Sequence, residues 1–130
     1  MGDQGTTVLI VDDQLPFRMA ARSVVGVTPG FEVVGEAKSG EEAVEQAAAL
    51  HPQLVLMDIN MDGISGIEAT RRITAENPGT RVVLLSTYDA EDLPADARTC
   101  GALGYVHKEQ FGPDVLVGMW TGEETGCFKG

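Results

Sequence analysis

Three short, unbroken apolar runs punctuate the chain: Val8-Leu9-Ile10-Val11, Leu54-Val55-Leu56-Met57 and Val82-Val83-Leu84-Leu85, each ending at a polar residue. Runs of this length without alternation suit strands covered on both faces of a parallel sheet, although a buried helix segment carries the same pattern. The segments between them settle the choice. Ser39 with Glu42 and Ser65 with Glu68 have the spacing of a capping box, in which two side chains satisfy free amides at a helix start. Behind these pairs, Ala43, Ala47 and Leu50, then Ile67, Thr70 and Ile73, recur at helical spacing. A first helix is predicted to open at Pro16, where a missing amide costs nothing, and to bury Phe17, Ala21, Val24 and Val25 before Thr28-Pro29-Gly30 ends it. Phe31 to Ala37 reads as a second strand, and Asn77-Pro78-Gly79 parts the third helix from the fourth strand. Gly104 to His107 reads as a short fifth strand, followed by a last helix with Val115, Leu116, Met119 and Trp120 on its apolar face.

Five strand–helix units in this order imply right-handed crossovers and an α/β fold whose parallel sheet is covered on both sides. The arrangement expected is a five-stranded sheet of order 2-1-3-4-5, doubly wound with five helices. At 130 residues the chain has room for one core, because compact domains cluster at roughly 100–150 residues. Its 43% hydrophobic content is enough to build that core. No internal repeat is visible, and the folded unit is expected over residues 1–120, with a short polar tail over 121–130.

Charge narrows the function classes. With 9 basic and 20 acidic side chains the net charge is −11, which repels polyphosphate and anionic lipid. No direct nucleic-acid or membrane partner is therefore expected. Cys100 and Cys127 are too few for a disulfide framework or a zinc site and read as free thiols in a reducing cytoplasm. The segment Met1 to Gly5 lacks the features of a signal peptide, and no run approaches the ~18 apolar residues of a membrane span. The expected location is cytoplasmic.

In an open parallel sheet, ligands bind beyond the C-terminal ends of the strands. Those ends carry Asp12-Asp13, Asp58, Ser86-Thr87 and Lys108, which therefore converge. Three carboxylates in one cleft raise one another's pKa unless a cation compensates them. A hard divalent ion with oxygen ligands meets that need, and few carboxylates with room for water favour Mg²⁺ over Ca²⁺. Carboxylates, Mg²⁺, a hydroxyl and a lysine together fit phosphoryl transfer, with a carboxylate as nucleophile. Asp58, on the central strand, is the candidate nucleophile.

At these residues the sequence resembles the receiver domain of two-component response regulators, over roughly residues 6 to 120. Val8-Leu9-Ile10-Val11-Asp12-Asp13 is similar to the family's first strand with its acidic pair, and Met57-Asp58-Ile59-Asn60-Met61 to the strand bearing the phosphorylated aspartate. Leu85-Ser86-Thr87 matches the switch hydroxyl, and Gly104-Tyr105-Val106-His107-Lys108 the switch aromatic and the lysine. The resemblance implies a flavodoxin-like receiver over residues 1–120 whose Asp58 is phosphorylated by a sensor histidine kinase or phosphotransfer protein. It further implies Mg²⁺ held by Asp13, Asp58 and the Asn60 carbonyl, with Asp12 acting mainly through water. Ser86 and Lys108 would contact the phosphoryl group. Tyr105 would turn as Ser86 moves, altering the face built from the fourth helix, the fifth strand and the last helix, which an unknown output protein reads. Such a domain catalyses its own phosphorylation and dephosphorylation without turning over an external substrate, as a monomer or weak phosphorylation-dependent dimer.

Two departures from the family pattern carry expectations of their own. The usual Met-Pro is Met61-Asp62 and the usual Asp-Gly or Asn-Gly is Ser65-Gly66, which predicts a more flexible, more anionic loop after Asp58. Pro94 falls inside the expected fourth helix and predicts that it starts late and is short. Outside the site, His51 is expected to cap a helix C-terminus and His107 to be a strand residue. The Glu36, Glu41, Glu42 and Glu45 group, the Asp89, Glu91, Asp92 and Asp96 group, and Arg71 with Arg72 are expected to be solvated surface. A stand-alone receiver is the leading reading. The alternatives are a receiver cut from a DNA-binding transcriptional regulator and a phosphorylation-independent adaptor; a flavin site would need a phosphate-binding loop where strand 1 ends in two carboxylates.

Overall fold

Alternate residues of the apolar runs point to opposite sides of one sheet, and each side is covered by its own pair of helices. The computed structural model describes residues 5–123 and 127–128. Its strands are β1 (Thr6–Val11), β2 (Phe31–Ala37), β3 (Leu54–Asp58), β4 (Arg81–Ser86) and β5 (Gly104–His107). The helices are α1 (Leu15–Val27), α2 (Gly40–Leu50), α3 (Gly66–Glu76) and α4 (Pro113–Thr121). All strand pairs are parallel and the order is β2-β1-β3-β4-β5. Leu9, Val11, Val55, Met57, Val82 and Leu84 pack against Ala43 and Ala47 of α2 and Ile67 and Ile73 of α3. Val8, Ile10, Leu54, Leu56, Val83 and Leu85 face the other way, onto Ala21 and Val25 of α1 and Leu116 and Met119 of α4. This double covering explains why the central strands read as continuous apolar runs.

The helix starts are capped by the residues expected, with partners differing in detail. Ser39 Oγ accepts the Glu42 N–H and Ser65 Oγ accepts the Glu68 N–H, each at 3.1 Å. The reciprocal arms diverge: the Glu42 carboxylate takes the Lys38 N–H at 2.6 Å, while Glu68 pairs with Arg71 and Arg72. His51 caps α2 in the left-handed conformation, φ 49°, donating its N–H to the Ala47 carbonyl at 3.0 Å.

The expectation of five helices fails between β4 and β5, leaving four among the described residues. There the chain makes two 3-10 turns, Ala90–Asp92 and Ala95–Arg98, in place of a fourth helix. Pro94 sits between them in extended conformation (φ −56°, ψ 147°). Its ring disfavours a helical residue before it, and it lacks the amide a continuing helix would need. Only six residues separate Pro94 from Gly101, whose φ of +102° ends any helical path, and six residues are fewer than two turns. Beside β5 and α4, the surface where a fourth helix was expected is therefore formed by these turns.

Of the tail expected over 121–130, residues 124–126 and 129–130 lie outside the described residues, as do Met1 to Gln4. Cys127 pairs antiparallel with Gly104 at the outer edge of β5, and the Phe128 N–H donates to the Leu103 carbonyl at 2.9 Å. Phe128 packs beside Leu93 and Ala102 under the Arg98 guanidinium, 5.1 Å from its ring centroid. No helix among the described residues is long and apolar enough to cross a membrane.

Candidate functional site

Because the strands are parallel, their C-terminal ends share one edge, and the backbone register brings the chemistry-bearing residues together. Val11 pairs with Met57, Asp58 with Leu85, and Ser86 with His107, so Asp12, Asp58, Ser86 and Lys108 follow one another across the sheet. Asp12, Asp13 and Asp58 each offer a carboxylate oxygen within 4.8 Å of the others. Asp12 and Asp58 are buried and Asp13 is exposed. An open cleft of about 280 Å³ adjoins them, lined by Asp13, Ile59, Asn60, Met61, Asp62 and Ser65.

Lys108 Nζ lies 2.6 Å from Asp12 Oδ2 and 3.3 Å from Asp58 Oδ1. Asp12 Oδ1 accepts the Gln14 N–H at 2.8 Å. Among the described residues, no hydrogen bond of good geometry reaches the buried Asp12 Oδ2, which is left to the electrostatic compensation of the ammonium. Burial, then the Asp12 charge, pushes the Asp58 carboxyl up from 3.8 to about 6, against the pull of Lys108 and an Asn60 backbone N–H. Burial disfavours charge on Lys108, but Asp12 and Asp58 outweigh it and hold the amine above its usual range. One ammonium thus lies against two of the three carboxylates. The donor set is all oxygen, undercompensated and open to solvent on the Asp13 side, which fits a hard divalent cation.

Two residues of α1 brace the site. The Arg18 guanidinium is buried and donates to the Asp12 carbonyl at 2.8 Å and to Glu36 at 3.1 Å, fixing the turn between β1 and α1. The Phe17 ring lies under Lys108 Nζ, 4.7 Å from its centroid, a cation–π contact that aims the amine inward. On the far side, Ser86 is buried and its Oγ accepts the Tyr88 N–H at 3.1 Å. Tyr105 is turned inward, 6% exposed, with its hydroxyl donating to the carbonyls of Ser86 and Tyr88. Burial and the nearby Asp89 push the Tyr105 phenol up.

The family described as response regulator receiver domain matches residues 8–120. The chain belongs to that family. Among curated relatives, the transcriptional regulatory protein DegU of Brevibacillus brevis is 38% identical over 102 residues, 78% of this chain and 43% of that regulator. The chain therefore spans less than half the length of that relative. Among solved structures, a two-component response regulator of the LuxR family from Aurantimonas sp. SI85-9A1 superposes with a TM-score of 0.78 and 32% identity, over 87% of this chain and 80% of that one. The response regulator domain of Thermotoga maritima CheB does so with a TM-score of 0.80 and 31% identity, over 92% and 96%.

Within this receiver, the surface groups expected to be merely solvated include several with partners. Glu36 joins Arg18 and Arg22 at 3.1 and 3.0 Å, and Glu41 accepts the Ile64 N–H at 3.2 Å. Arg71 and Arg72 both pair with Glu68, which lowers its carboxyl pKa, Arg72 foremost. The signal for the burial of Arg18, though not for its partner, was present in the sequence, since it shares the helical face of Ala21 and Val25 at i, i+3 and i+7. Glu41 had no local signal, because its partner is 23 residues away.

Proposed function

We propose that this receiver accepts a phosphoryl group on Asp58 in a Mg²⁺-dependent reaction and returns it to water, as the signal step of a two-component pathway. The observation that carries the reading is the placement of Lys108 Nζ between Asp12 and Asp58, at 2.6 and 3.3 Å, beside a third carboxylate and an open cleft. Asp13, Asp58 and the Asn60 carbonyl would hold Mg²⁺, with Asp12 behind them. When bound, the ion supplies positive charge for the phosphoryl oxygens and lets Asp58 stay ionised at neutral pH.

The donor is the phosphohistidine of a histidine kinase or phosphotransfer protein. An Asp58 oxygen attacks phosphorus while the P–N bond breaks, the imidazole leaves and takes up a proton, and an acyl phosphate remains. Lys108, already aimed at Asp58 by Phe17 and Asp12, stabilises charge on the transferred group. Ser86 Oγ gives up the Tyr88 N–H to reach a phosphoryl oxygen, which loosens the carbonyls that hold Tyr105. The movement is read on β5, α4 and the two 3-10 turns. Water attack on phosphorus later releases inorganic phosphate and restores the carboxylate.

The test is incubation with Mg²⁺ and a small acyl-phosphate donor. Wild type should gain the mass of one phosphoryl group and Asp58→Ala none; equal gain by both overturns the assignment. A second reading, that the receiver governs a DNA-binding part of a longer regulator, is favoured by the match to less than half of a transcriptional regulator. The reading frame downstream of residue 130 tests it: a helix-turn-helix segment supports it, and a stop codon there contradicts it.

A further inference from the structure

We infer that Glu41, at the start of α2, is a positioning residue for the cation pocket: its carboxylate holds the Gly63–Ile64 backbone and so fixes the loop presenting the Asn60 carbonyl. This rests on the reading of that pocket as the Mg²⁺ site.

The loop between β3 and α3 needs an external hold. Asp62 stands where the resemblance leads one to expect a proline, so no ring restricts the backbone there. Gly63 follows with φ +83°, a left-handed conformation that glycine adopts freely, and glycine loses more conformational freedom on folding than any other residue. The C-terminal end of the loop is fixed locally, by the Gly66 N–H donating to the Ile59 carbonyl at 2.9 Å and by the Ser65 cap. The middle is fixed from α2. Glu41 Oε2 accepts the Ile64 N–H at 3.2 Å. Both Glu41 oxygens lie 2.7 Å from where a Cβ on Gly63 would sit, so the carboxylate fills the space that a side chain would occupy. Beside it, the Ile64 side chain rests on Gly40, where an added Cβ would come within 2.6 Å of Ile64 Cγ1. The Ser39 cap in turn fixes the first turn of α2 and the direction from which Glu41 reaches across. Four residues of the cleft, Ile59, Asn60, Met61 and Asp62, lie between the β3 end and this clamp.

A tether and a nearby negative charge predict different behaviour for Glu41→Gln, which keeps an acceptor and loses the charge. Three measurements on the full chain separate them: hydrogen exchange of the Ile64 amide without metal, calorimetric titration with MgCl₂, and the urea midpoint. Glu41→Ala should lose Ile64 protection and weaken Mg²⁺ binding about threefold to fivefold, the effect of one exposed charge-assisted hydrogen bond, with the urea midpoint lowered slightly and the transition still cooperative. Its acyl-phosphate labelling should need more Mg²⁺ for half-maximal rate and reach the wild-type plateau. Glu41→Gln should retain Ile64 protection and most of the affinity. The inference is overturned if Glu41→Ala keeps both protection and affinity, or if Glu41→Gln loses as much as Glu41→Ala. Failure of the wild type itself to bind Mg²⁺ would instead sink the proposed function, while Ile64 exchange would still decide whether Glu41 holds the loop.

Discussion

Replacing Asp58 by Asn should stabilise the metal-free protein, and by an amount that depends on pH. Asp58 is 3% exposed and lies beside the fully buried Asp12. Its carboxyl is pushed from 3.8 to about 6, burial first and Asp12 second, with the help of Lys108 already included. A raised carboxyl pKa means that the folded state holds the proton more tightly than the unfolded chain. Stability from this group is therefore complete below the unfolded value and is lost as pH rises through the folded one. The gap corresponds to about 3 kcal/mol at and above about pH 8, and to about half that near pH 5. Asn is shaped like the neutral carboxyl and carries no such penalty. Urea unfolding followed by far-UV circular dichroism, with a chelator present, should place Asp58→Asn about 3 kcal/mol above wild type near pH 8 and about half as far above it near pH 5. Millimolar Mg²⁺ should raise wild type more than the variant and narrow the difference. Equal midpoints near pH 8 without metal, or a difference that does not change with pH, would refute the electrostatic reasoning.

Three further outcomes follow from the same geometry. Lys108→Met removes the cation from between Asp12 and Asp58, and metal-free stability near neutral pH should fall by about 2–4 kcal/mol in urea titration, with recovery when Mg²⁺ is added. Gly66→Ala places a Cβ 2.0 Å from the Asp58 carbonyl oxygen, so β3 and α3 must part; thermal unfolding should show a loss of about 3 kcal/mol or more, the upper end for overpacking. Tyr105→Phe deletes the hydroxyl that bonds the Ser86 and Tyr88 carbonyls, and should cost about 1 kcal/mol while leaving Mg²⁺ affinity, measured by calorimetry, unchanged.

What could be read from the sequence was whatever is encoded locally. The apolar runs became β1, β3 and β4 because burial on both faces leaves a continuous pattern, and Phe31–Ala37 and Gly104–His107 became strands at the boundaries expected. Ser39 and Ser65 marked helix starts through side chains that bond three residues on. Parallel pairing then made the convergence of Asp12, Asp58, Ser86 and Lys108 a matter of topology. The fourth helix, expected to start late and be short because of Pro94, is absent: topology demanded a crossover element there, and Pro94 allowed only turns. Contacts between distant segments left no trace in any window: Glu41 with Ile64, Arg18 with Glu36, and Phe128 returning to Leu103 beside β5. Polarity alone classed these glutamates as surface, although their partners give them work in the fold.

The proposed function puts the phosphoryl group on Asp58 and on no neighbouring carboxylate. Borohydride reduces an aspartyl phosphate to homoserine, so treating Mg²⁺- and acyl-phosphate-exposed protein and sequencing its peptides reads the acceptor position directly. Homoserine at position 58, and its disappearance when Mg²⁺ is withheld, is the expected result. Homoserine at position 12, 13 or 62, or none after full exposure, would contradict the account.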